Sequence, residues 1–466
     1  MNIKISNEIT IEEPTQEIID YCKKELVLDN PDFAKKERMG LWTGDTPRRL
    51  YLYRMDAGRC ILPVGAFKSI KGLIDRLNIK TSYISDLARN EDVEYNASVN
   101  LYDYQKDALN AMLSAGYGIL QSPAGSGKTQ IGIALAIALG KKCLWLTHTR
   151  DLLKQSYDRA AQYIDKSLLG TITAGKVNIG KGITFATVQT LSKQDLTMYK
   201  YAFDVVIVDE CHHVAGTPTA ATMFSKVINS IAAPHKYGLS ATVHRADKLI
   251  KTTYALLGDI KHIVPDEAVQ DRVMQVEVQR IDTGFNILPE SAQDTDGTII
   301  YAKLINALCE DVGRCNIIAD RLIQCREHYN LILSDRIQHL RDLYNLLPDE
   351  LQERAAVIDG SMTTKKGKAA RERAIEDMRA GKKHFLFASY GLAKEGLDIP
   401  RLDRLHLTTP QKDYAVIVQS VGRIARVFDG KQQRICYDYT DGIGTLERMY
   451  KKRKTSYRKC NCIIKK

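Results

Sequence analysis

The residues best suited to chemistry form a glycine-rich loop, Ser-Pro-Ala-Gly-Ser-Gly-Lys-Thr, at positions 122–129. Its glycines let backbone N–H groups close around phosphates, Lys128 can reach the β and γ oxygens, and Thr129 offers a hydroxyl to Mg²⁺. The Gly or Ala that usually opens such a loop is Ser122 here, which is also small. The alternative is a glycine-rich turn that binds nothing. We predict that ATP is held by Gly125, Ser126, Gly127, Lys128 and Thr129.

Two adjacent carboxylates follow about eighty residues after this loop, at Asp209 and Glu210. They come directly after the apolar run 205–208, which is typical of a buried parallel strand. Ligands bind at the carboxyl ends of such strands, so we expect Asp209 to hold Mg²⁺ there. Glu210 can orient or deprotonate the water that attacks the γ-phosphate. The order of loop and carboxylates therefore predicts ATP hydrolysis.

The elements around these residues alternate between strand and helix. An apolar run at 117–120 precedes the loop and an alanine-rich helix at 130–139 follows it, the context that a phosphate-binding loop requires. The alternation predicts parallel sheets with helices on both faces. Further strands are predicted at 143–147, 183–186, 205–208, 236–239, 330–333, 355–358, 384–388, 404–407 and 434–437, with helices at 150–163, 338–347 and 367–380.

Length and composition indicate a multidomain globular protein. The 466 residues are 44% hydrophobic and 26% charged, without an apolar run long enough to cross a membrane or an apolar signal core, so we expect a cytoplasmic protein. Ten scattered cysteines do not suggest a disulfide framework, and Cys460 and Cys462 are too close together for a zinc site. We predict three domains, 1–95, 96–265 and 266–466, with a surface loop at 283–298 near the second boundary.

The positive charge of the chain is concentrated at its C-terminal end. The net charge is +11, and residues 451–466 carry eight cations without an acid. With Tyr457 interleaved, this basic tail suits a phosphate backbone. The alternative is a solvated helix end. The cations are Lys451, Lys452, Arg453, Lys454, Arg458, Lys459, Lys465 and Lys466.

Two further motifs complete an ordered set, Gly-Leu-Ser-Ala-Thr at 238–242 and Gln-Ser-Val-Gly-Arg-Ile-Ala-Arg at 419–426. Together with the loop and the carboxylates, they resemble the motifs of superfamily 2 helicases of the DExH type, over roughly residues 100–440. The resemblance implies an α/β protein with two tandem RecA-like parallel-sheet domains, preceded by a small α+β accessory domain. It also implies ATP and Mg²⁺ bound in the cleft between the two motor domains.

The same resemblance assigns roles to individual residues. Gln105 is similar to the family's adenine-reading glutamine, and the segment 240–242 resembles the one that couples hydrolysis to movement. The nucleic-acid backbone would be contacted by Thr147, Arg150, Thr187, Gln189 and Ser389, and the ribose by Asp398. The last motif would bring Gln419, Arg423 and Arg426 to the γ-phosphate from the second domain. On a helix, Arg423 and Arg426 would share a face, and the alternative is a pair of surface arginines.

The sequence Gly-Leu-Ser-Ala-Thr-Val-His-Arg-Ala-Asp at 238–247 resembles the group that contains XPB, RadD and the phage helicase UvsW. That group implies action on forked, branched or duplex DNA, with replication or recombination proteins as further partners. Three alternatives remain: an RNA helicase, the motor subunit of a restriction system, and a nucleic-acid-binding module without motor activity. Intact Lys128, Asp209, Glu210 and Arg426 argue against the last of these.

Within the first 95 residues, the stretches Asn-Pro-Asp at 30–32, Arg-Met-Gly at 38–40 and Thr-Pro-Arg at 46–48 resemble a segment that precedes the motor in phage-type helicases. The same region mixes aromatic and cationic residues. Such a mixture favours nucleic acid, so we predict that this domain recognises the DNA substrate. The alternatives are a structural domain that does not touch DNA and, for Leu50 and Leu52, one face of a strand. The residues concerned are Trp42, Arg48, Arg49, Tyr51, Tyr53 and Arg54.

Overall fold

A computed structural model of the protein describes residues 1–123, 125–173, 175–215, 218–241, 250–269, 275–360, 362, 364–394, 397 and 399–465. The chain divides into two compact units, residues 1–123 with 127–265, and residues 124–126 with 266–466. Among the described residues, no helix combines the length and apolar character that a membrane crossing requires.

The first unit begins with a small sheet in which buried and more exposed residues alternate along a strand. Ile9 and Ile11 are buried on a strand whose neighbouring residues face outward, the pattern of a sheet with one covered face. The described strands pair in the order β5-β6-β2-β1-β7, and β3 pairs with β4 in a separate ribbon. The elements are β1 Asn2–Ile5, β2 Glu8–Glu12, α1 Gln16–Glu25, β3 Val27–Asp29, α2 Pro31–Arg38, β4 Arg49–Tyr51, β5 Arg54–Asp56, β6 Arg59–Pro63, α3 Phe67–Arg76 and β7 Ser82–Ser85.

Within this first unit, the small sheet packs directly on the sheet that follows. Lys236 is buried and donates to the backbone oxygens of Asn7 and Ile228, at 3.3 and 2.9 Å. Gly65 lies close to the helix Ile250–Leu257, which follows a strand of the larger sheet. A Cβ added to Gly65 would come 2.5 Å from the Ala255 carbonyl oxygen. Ala255 itself belongs to the apolar core of the small sheet. The N-terminal sheet is therefore joined to its neighbour by buried contacts.

The larger sheet of the first unit is parallel except for one edge hairpin. Its described strands lie in the order β11-β10-β12-β9-β13-β14-β8-β15, with β11 antiparallel to β10. The strands are β8 Gly118–Gln121, β9 Cys143–Thr147, β10 Leu169–Thr173, β11 Lys176–Asn178, β12 Ile183–Thr187, β13 Val205–Asp209, β14 His235–Ser240 and β15 Ile260–Ile263. The helices are α4 Asp103–Ala115, α5 Lys128–Leu139, α6 Arg150–Ala160, α7 Val188–Leu191, α8 Pro218–Ile228 and α9 Ile250–Leu257.

The second unit contains a parallel sheet of order β18-β19-β17-β20-β21-β16-β22 among the described residues. Its strands are β16 Glu277–Asp282, β17 Asn330–Ser334, β18 Ala355–Ile358, β19 Phe385–Ser389, β20 Arg404–Leu407, β21 Ile435–Thr440 and β22 Ile463–Lys465. Its helices are α10 Tyr301–Glu310, α11 Val312–Gln324, α12 Ile337–Asn345, α13 Asp349–Glu353, α14 Lys365–Arg379, α15 Tyr390–Lys394, α16 Tyr414–Ile424 and α17 Gly444–Lys459.

The predicted fold class, two parallel-sheet α/β domains after a small N-terminal one, is confirmed. The predicted strands lie where expected to within about three residues. The loop predicted at 283–298 is less exposed than expected, because Ala292 is fully buried and packs with Phe285 and Leu288 in a small apolar cluster. Residues 1–123 share one compact unit with the phosphate-loop sheet, so the boundary near residue 95 stays a prediction.

The basic C-terminal end is not a free tail, which corrects the sequence-based expectation. Residues 444–459 form α17, and β22 then adds a strand to the second sheet beside β16. Arg453 and Tyr457 are buried on the inner side of α17, and both bind Asp438 on β21. Lys465 pairs with Glu277 at 2.7 Å. Two members of the predicted DNA-contacting set are therefore core residues, and a third is paired with a carboxylate.

Candidate functional site

The phosphate loop follows β8, and α5 begins at its last residues. Gly125 and Gly127 have φ of 85° and 79°, left-handed values that favour glycine. A Cβ on Gly127 would lie 2.5 Å from Nε2 of Gln105, so the Gln105 side chain rests against the loop. Gln105 is buried, and its Oε1 accepts a hydrogen bond from the Tyr102 backbone N–H at 3.0 Å. The fold thus places the predicted adenine-reading residue beside the phosphate loop.

Lys128 is the first residue of α5 and points toward the carboxylates at the end of β13. Its Nζ lies 3.8 Å from Oε1 of Glu210. Oε2 of the same carboxylate lies 3.3 Å from Nδ1 of His212. Burial alone would raise the pKa of Glu210, but the Lys128 charge and the His212 contact outweigh it and hold that pKa well below its usual range. Glu210 is therefore ionised at neutral pH, in a left-handed backbone conformation with φ of 49°.

Asp209 ends β13 and is almost fully buried. Its Oδ2 accepts a hydrogen bond from the Ser156 hydroxyl at 3.2 Å, and its Oδ1 accepts one from the Glu210 backbone N–H at 3.0 Å. Burial, with the Glu210 charge in second place, raises the pKa of Asp209 to about 6. A carboxylate in this position is stabilised in its charged form by a cation.

These groups fit a magnesium ion held jointly with nucleotide phosphates. Mg²⁺ in such sites takes one or two carboxylates and fills its shell with phosphate and water. Asp209 supplies a buried carboxylate, and Thr129 supplies a hydroxyl from the first turn of α5. Across the described ranges, no group of three or more His, Cys, Asp or Glu could ligate a metal.

Three histidines, His148, His212 and His213, connect the carboxylates to neighbouring strands, and the sequence analysis gave none of them a role. Nδ1 of His212 lies 2.9 Å from the Ser240 hydroxyl at the end of β14. The His213 ring stacks on His148 with centroids 3.5 Å apart, and it lies 4.2 Å from the His212 ring. His148 follows Thr147 at the end of β9. The sequence did carry a signal, because His148 directly follows Thr147, and His212 and His213 lie within three residues of Glu210.

Thr147 and Thr187 occupy equivalent positions at the ends of adjacent strands and are direct partners in the β9–β12 register. Both are buried, and each hydroxyl forms a hydrogen bond with a backbone group two or three residues further along the chain. The Thr147 hydroxyl donates to the Thr149 carbonyl oxygen, and Thr187 caps α7 by accepting from the Thr190 N–H. Arg150 at the start of α6 is exposed and Gln189 is half-buried. Of the predicted nucleic-acid contacts in this unit, Arg150 therefore has the most accessible side chain.

In the second unit, Ser389 ends β19, whereas Asp398 lies outside the described residues. Thr242 of the first unit lies outside them too. The Arg423 guanidinium donates to the carbonyl oxygens of Ala393 and Leu397, at 2.9 and 3.1 Å. It therefore holds the segment that follows α15.

Gln419 lies on the same helix, α16, with a buried Oε1 that has no hydrogen-bond partner in the described part of the chain. Because α16 ends at Ile424, Arg426 lies beyond it. Arg423 and Arg426 therefore do not lie on one helix, so the alternative that they form a pair on one helix face is wrong.

Two family profiles match the chain. Residues 98–245 match the profile described as type III restriction enzyme, res subunit, and residues 314–428 match the helicase conserved C-terminal domain. The first span contains the phosphate loop and both carboxylates, and the second contains Gln419, Arg423 and Arg426. The UvsW DNA helicase of Enterobacteria phage T4 is 23% identical, covering 94% of this chain and 89% of its own. The DNA 3'-5' translocase XPB2 of Sulfurisphaera tokodaii is 31% identical over 35% of each chain.

The chain belongs to the superfamily 2 helicases, in the group of UvsW and XPB. A protein of Acanthamoeba polyphaga mimivirus, described as a candidate ATP-dependent RNA helicase (L396), is 26% identical over 77% of this chain and 67% of its own. Among solved structures, S. cerevisiae Dbp5 bound to RNA and ADP BeF3 has a TM-score of 0.57 at 15% identity, covering 78% of this chain and 89% of that one. This structural likeness bears on the fold alone. The superfamily 2 membership establishes a helicase that uses ATP.

Proposed function

We propose that this superfamily 2 helicase is an ATP-driven DNA helicase or translocase that remodels forked, branched or duplex DNA in replication, recombination or repair. The observation that carries the proposal is the cluster at the carboxyl edge of the first unit's parallel sheet. There Lys128 lies 3.8 Å from Glu210, and Glu210 directly follows the buried Asp209. This grouping of one cation and two carboxylates supports the roles of phosphate binding, water activation and metal binding that we propose for them.

The chemistry follows from the charges of this cluster. Lys128 neutralises negative charge on the β and γ oxygens as the γ-phosphoryl group is transferred to water. Glu210, ionised at neutral pH, orients the attacking water and accepts its proton as the new P–O bond forms. Asp209 and Thr129 would hold Mg²⁺, which would add charge neutralisation at the phosphates.

The arginines of the second unit have separate roles in this proposal. Arg423 already donates to two backbone carbonyl oxygens, so we assign it to holding the segment between α15 and β20. Arg426 lies beyond the end of α16, and we assign it to the γ-phosphate. An arginine supplied by a second domain raises the rate of phosphoryl transfer by roughly 10³–10⁵.

DNA is favoured as the substrate because the relatives named as UvsW and XPB2 are described as acting on DNA, and the UvsW match spans nearly the whole chain. The RNA alternative has its own support in the mimivirus relative. The motor residues do not discriminate between these polymers, since contacts to phosphates are shared by both. Substrate choice therefore has to be measured.

The β3–β4 ribbon and the residues before β4 offer a surface that could steer substrate choice. Trp42 and Tyr51 are 79% and 63% exposed, and Arg48 and Arg49 are exposed beside them in sequence. Exposed aromatic rings stack on bases and arginines bind phosphates. Two other predicted members do not fit: Arg54 forms a bidentate pair with Glu8, and Tyr53 packs against the apolar core. Leu50 and Leu52 pack on Leu28, as the strand alternative predicted.

The test is a comparison of ATP hydrolysis rates with single-stranded DNA, duplex DNA, forked DNA and RNA. We expect forked or duplex DNA to stimulate hydrolysis most, and the Lys128→Ala variant to be inactive with every polymer. A variant carrying Trp42→Ala, Arg48→Gln and Arg49→Gln should keep its stimulation by single strands and lose its preference for forks. Circular dichroism confirms that each variant is folded.

Three outcomes would contradict parts of the proposal. Stronger stimulation by RNA than by every DNA would reject the DNA assignment. Near-normal turnover by folded Lys128→Ala would reject the ATP site. An unchanged fork preference in the N-terminal triple variant, compared with an Arg59→Gln, Lys71→Gln and Lys23→Gln control on the same domain, would reject the steering surface.

A further inference from the structure

The outer face of α17 is a stripe of cations. Leu446, Met449, Tyr450, Arg453, Ser456 and Tyr457 are buried, and they recur at helical spacing along one side. The cations on the opposite side are all exposed, and they recur at the same spacing. They are Arg448, Lys451, Lys452, Arg458 and Lys459. Over its 16 residues α17 extends about 24 Å. The stripe is therefore an ordered row of charge along a helix of known position.

These cations lack the carboxylate partners that cations have elsewhere on the protein. On α14, Arg373 pairs with Asp377 and Arg379 with Glu376. Across the described chain, none of the five stripe residues forms an ion pair. Arg448 donates to the Thr445 hydroxyl and Lys459 lies over the Tyr414 ring. Glu447 is the one acidic residue of α17. Five cations thus stand beside one acidic residue, so the outer face of α17 has a net positive charge.

The helix that presents the stripe is held rigidly. Nε and Nη2 of Arg453 bind the two carboxylate oxygens of Asp438, each at 2.8 Å, and the Tyr457 hydroxyl donates to Asp438 at 2.7 Å. Arg453 also donates to the Gln411 carbonyl oxygen, close to the start of α16. A row of cations on a fixed helix can bind a regular polyanion with little loss of backbone freedom.

We propose that the outer face of α17 binds the phosphate backbone of the DNA substrate, as a contact additional to the helicase motifs. The proposal rests on the proposed function. A protein partner fits less well, because specific protein interfaces have an apolar centre and α17 exposes no large apolar side chain. A lipid surface fits less well too, because the apolar side of the helix is already buried in the fold. Phosphates recur along a nucleic-acid strand and need only charge and hydrogen-bond donors.

The test uses the full chain with fluorescently labelled forked DNA, and measures the binding constant by anisotropy over a range of salt concentrations. The test variant carries Arg448→Gln, Lys451→Gln, Lys452→Gln and Arg458→Gln. Each lost phosphate contact lowers the slope of log K against log salt by about 0.9. We expect the slope to fall by roughly 1.8 to 3.6, for two to four contacts at that value each.

The matched control removes four other exposed cations of the second unit, with Arg326→Gln, Arg373→Gln, Arg379→Gln and Lys382→Gln. These side chains lie near carboxylates, so their loss changes the net charge equally without removing an unpaired stripe. The control should keep the wild-type slope. Equal slopes for test variant and wild type, or equal losses in test and control, would overturn the α17 proposal alone. Absence of salt-dependent DNA binding by the wild type would overturn the proposed function as well.

Discussion

Replacing Arg453 with leucine should destabilise the second unit strongly, although the sequence places this residue in a run of surface-like cations. Arg453 and Asp438 have side chains that are 2% and 1% exposed. Burial works against the guanidinium charge, but the Asp438 carboxylate outweighs it and raises the pKa of Arg453. In the variant, Asp438 keeps the Tyr457 hydroxyl as a hydrogen-bond donor and loses its counter-charge.

The size of the destabilisation follows from the Asp438 charge, which stays buried after Arg453 is replaced. Removing one partner of a buried ion pair costs about 3–5 kcal/mol, because the other charge stays buried without compensation. For a domain of roughly 200 residues each kcal/mol lowers the melting temperature by about 2–4 °C, so the melting transition of this unit should fall by roughly 6–20 °C. Differential scanning calorimetry measures this shift directly.

Two control variants separate charge burial from general damage to α17. Lys452→Leu removes the neighbouring, exposed cation and should stay within about 0.5 kcal/mol of the wild type. The double variant Arg453→Leu with Asp438→Leu removes both charges and should be more stable than Arg453→Leu alone, since a buried pair replaced by apolar groups is often close to neutral. The reasoning is refuted if Arg453→Leu melts within 2 °C of Lys452→Leu.

Two other outcomes test the first unit. Glu210→Gln should bind ATP but hydrolyse it very slowly and hold DNA tightly in the ATP state, because glutamine cannot take the water's proton; turnover at the parental rate in a stopped assay would exclude Glu210 as the base. Burial lowers the pKa of Lys236 from 10.5 to about 7, so the unfolded chain binds more protons between those values and stability should rise with pH across that window. Lys236→Met should remove this rise, up to about 1.4 kcal/mol per pH unit, when urea unfolding is followed at pH 7 and 9; parallel pH profiles for the two proteins would contradict the assignment.

The parts of the fold that could be predicted from sequence are those with contiguous signals. Strands such as Val205–Asp209 are short apolar runs bounded by polar residues, and every residue of that strand is buried. The phosphate loop has fixed spacing and its glycines have the left-handed backbone that the motif requires. Local patterns of this kind do not depend on which distant element packs nearby. They can therefore be recognised from the sequence alone.

The contacts that could not be predicted depend on pairing between distant residues. Arg54 resembles a free cation in the sequence but pairs with Glu8, forty-six positions away. His148 stacks on His213 because β9 and β13 are neighbours in the sheet. For Arg453 a signal did exist, since it shares a helical face with Leu446, Met449 and Tyr450. The many lysines around Arg453 obscure the helical spacing of these buried residues in the sequence.

The buried contacts of the N-terminal sheet also constrain how its role can be tested. Lys236, which donates to Asn7 of that sheet, lies on β14, and β14 ends at Ser240. The Ser240 carbonyl oxygen accepts from the N–H of Ser122, and its hydroxyl contacts His212. β14 lies between β13 and β8, the strands that lead to the carboxylates and to the phosphate loop.

Deleting the N-terminal sheet would therefore expose a buried lysine on β14, beside the proposed ATP site, and part of the apolar core that includes Ala255 on α9. Loss of activity after such a truncation would not distinguish substrate recognition from damage to hydrolysis. Substitutions at the exposed residues Trp42, Arg48 and Arg49 leave these buried contacts in place. A change of DNA preference in those variants, at an unchanged rate with single strands, would therefore report on recognition itself.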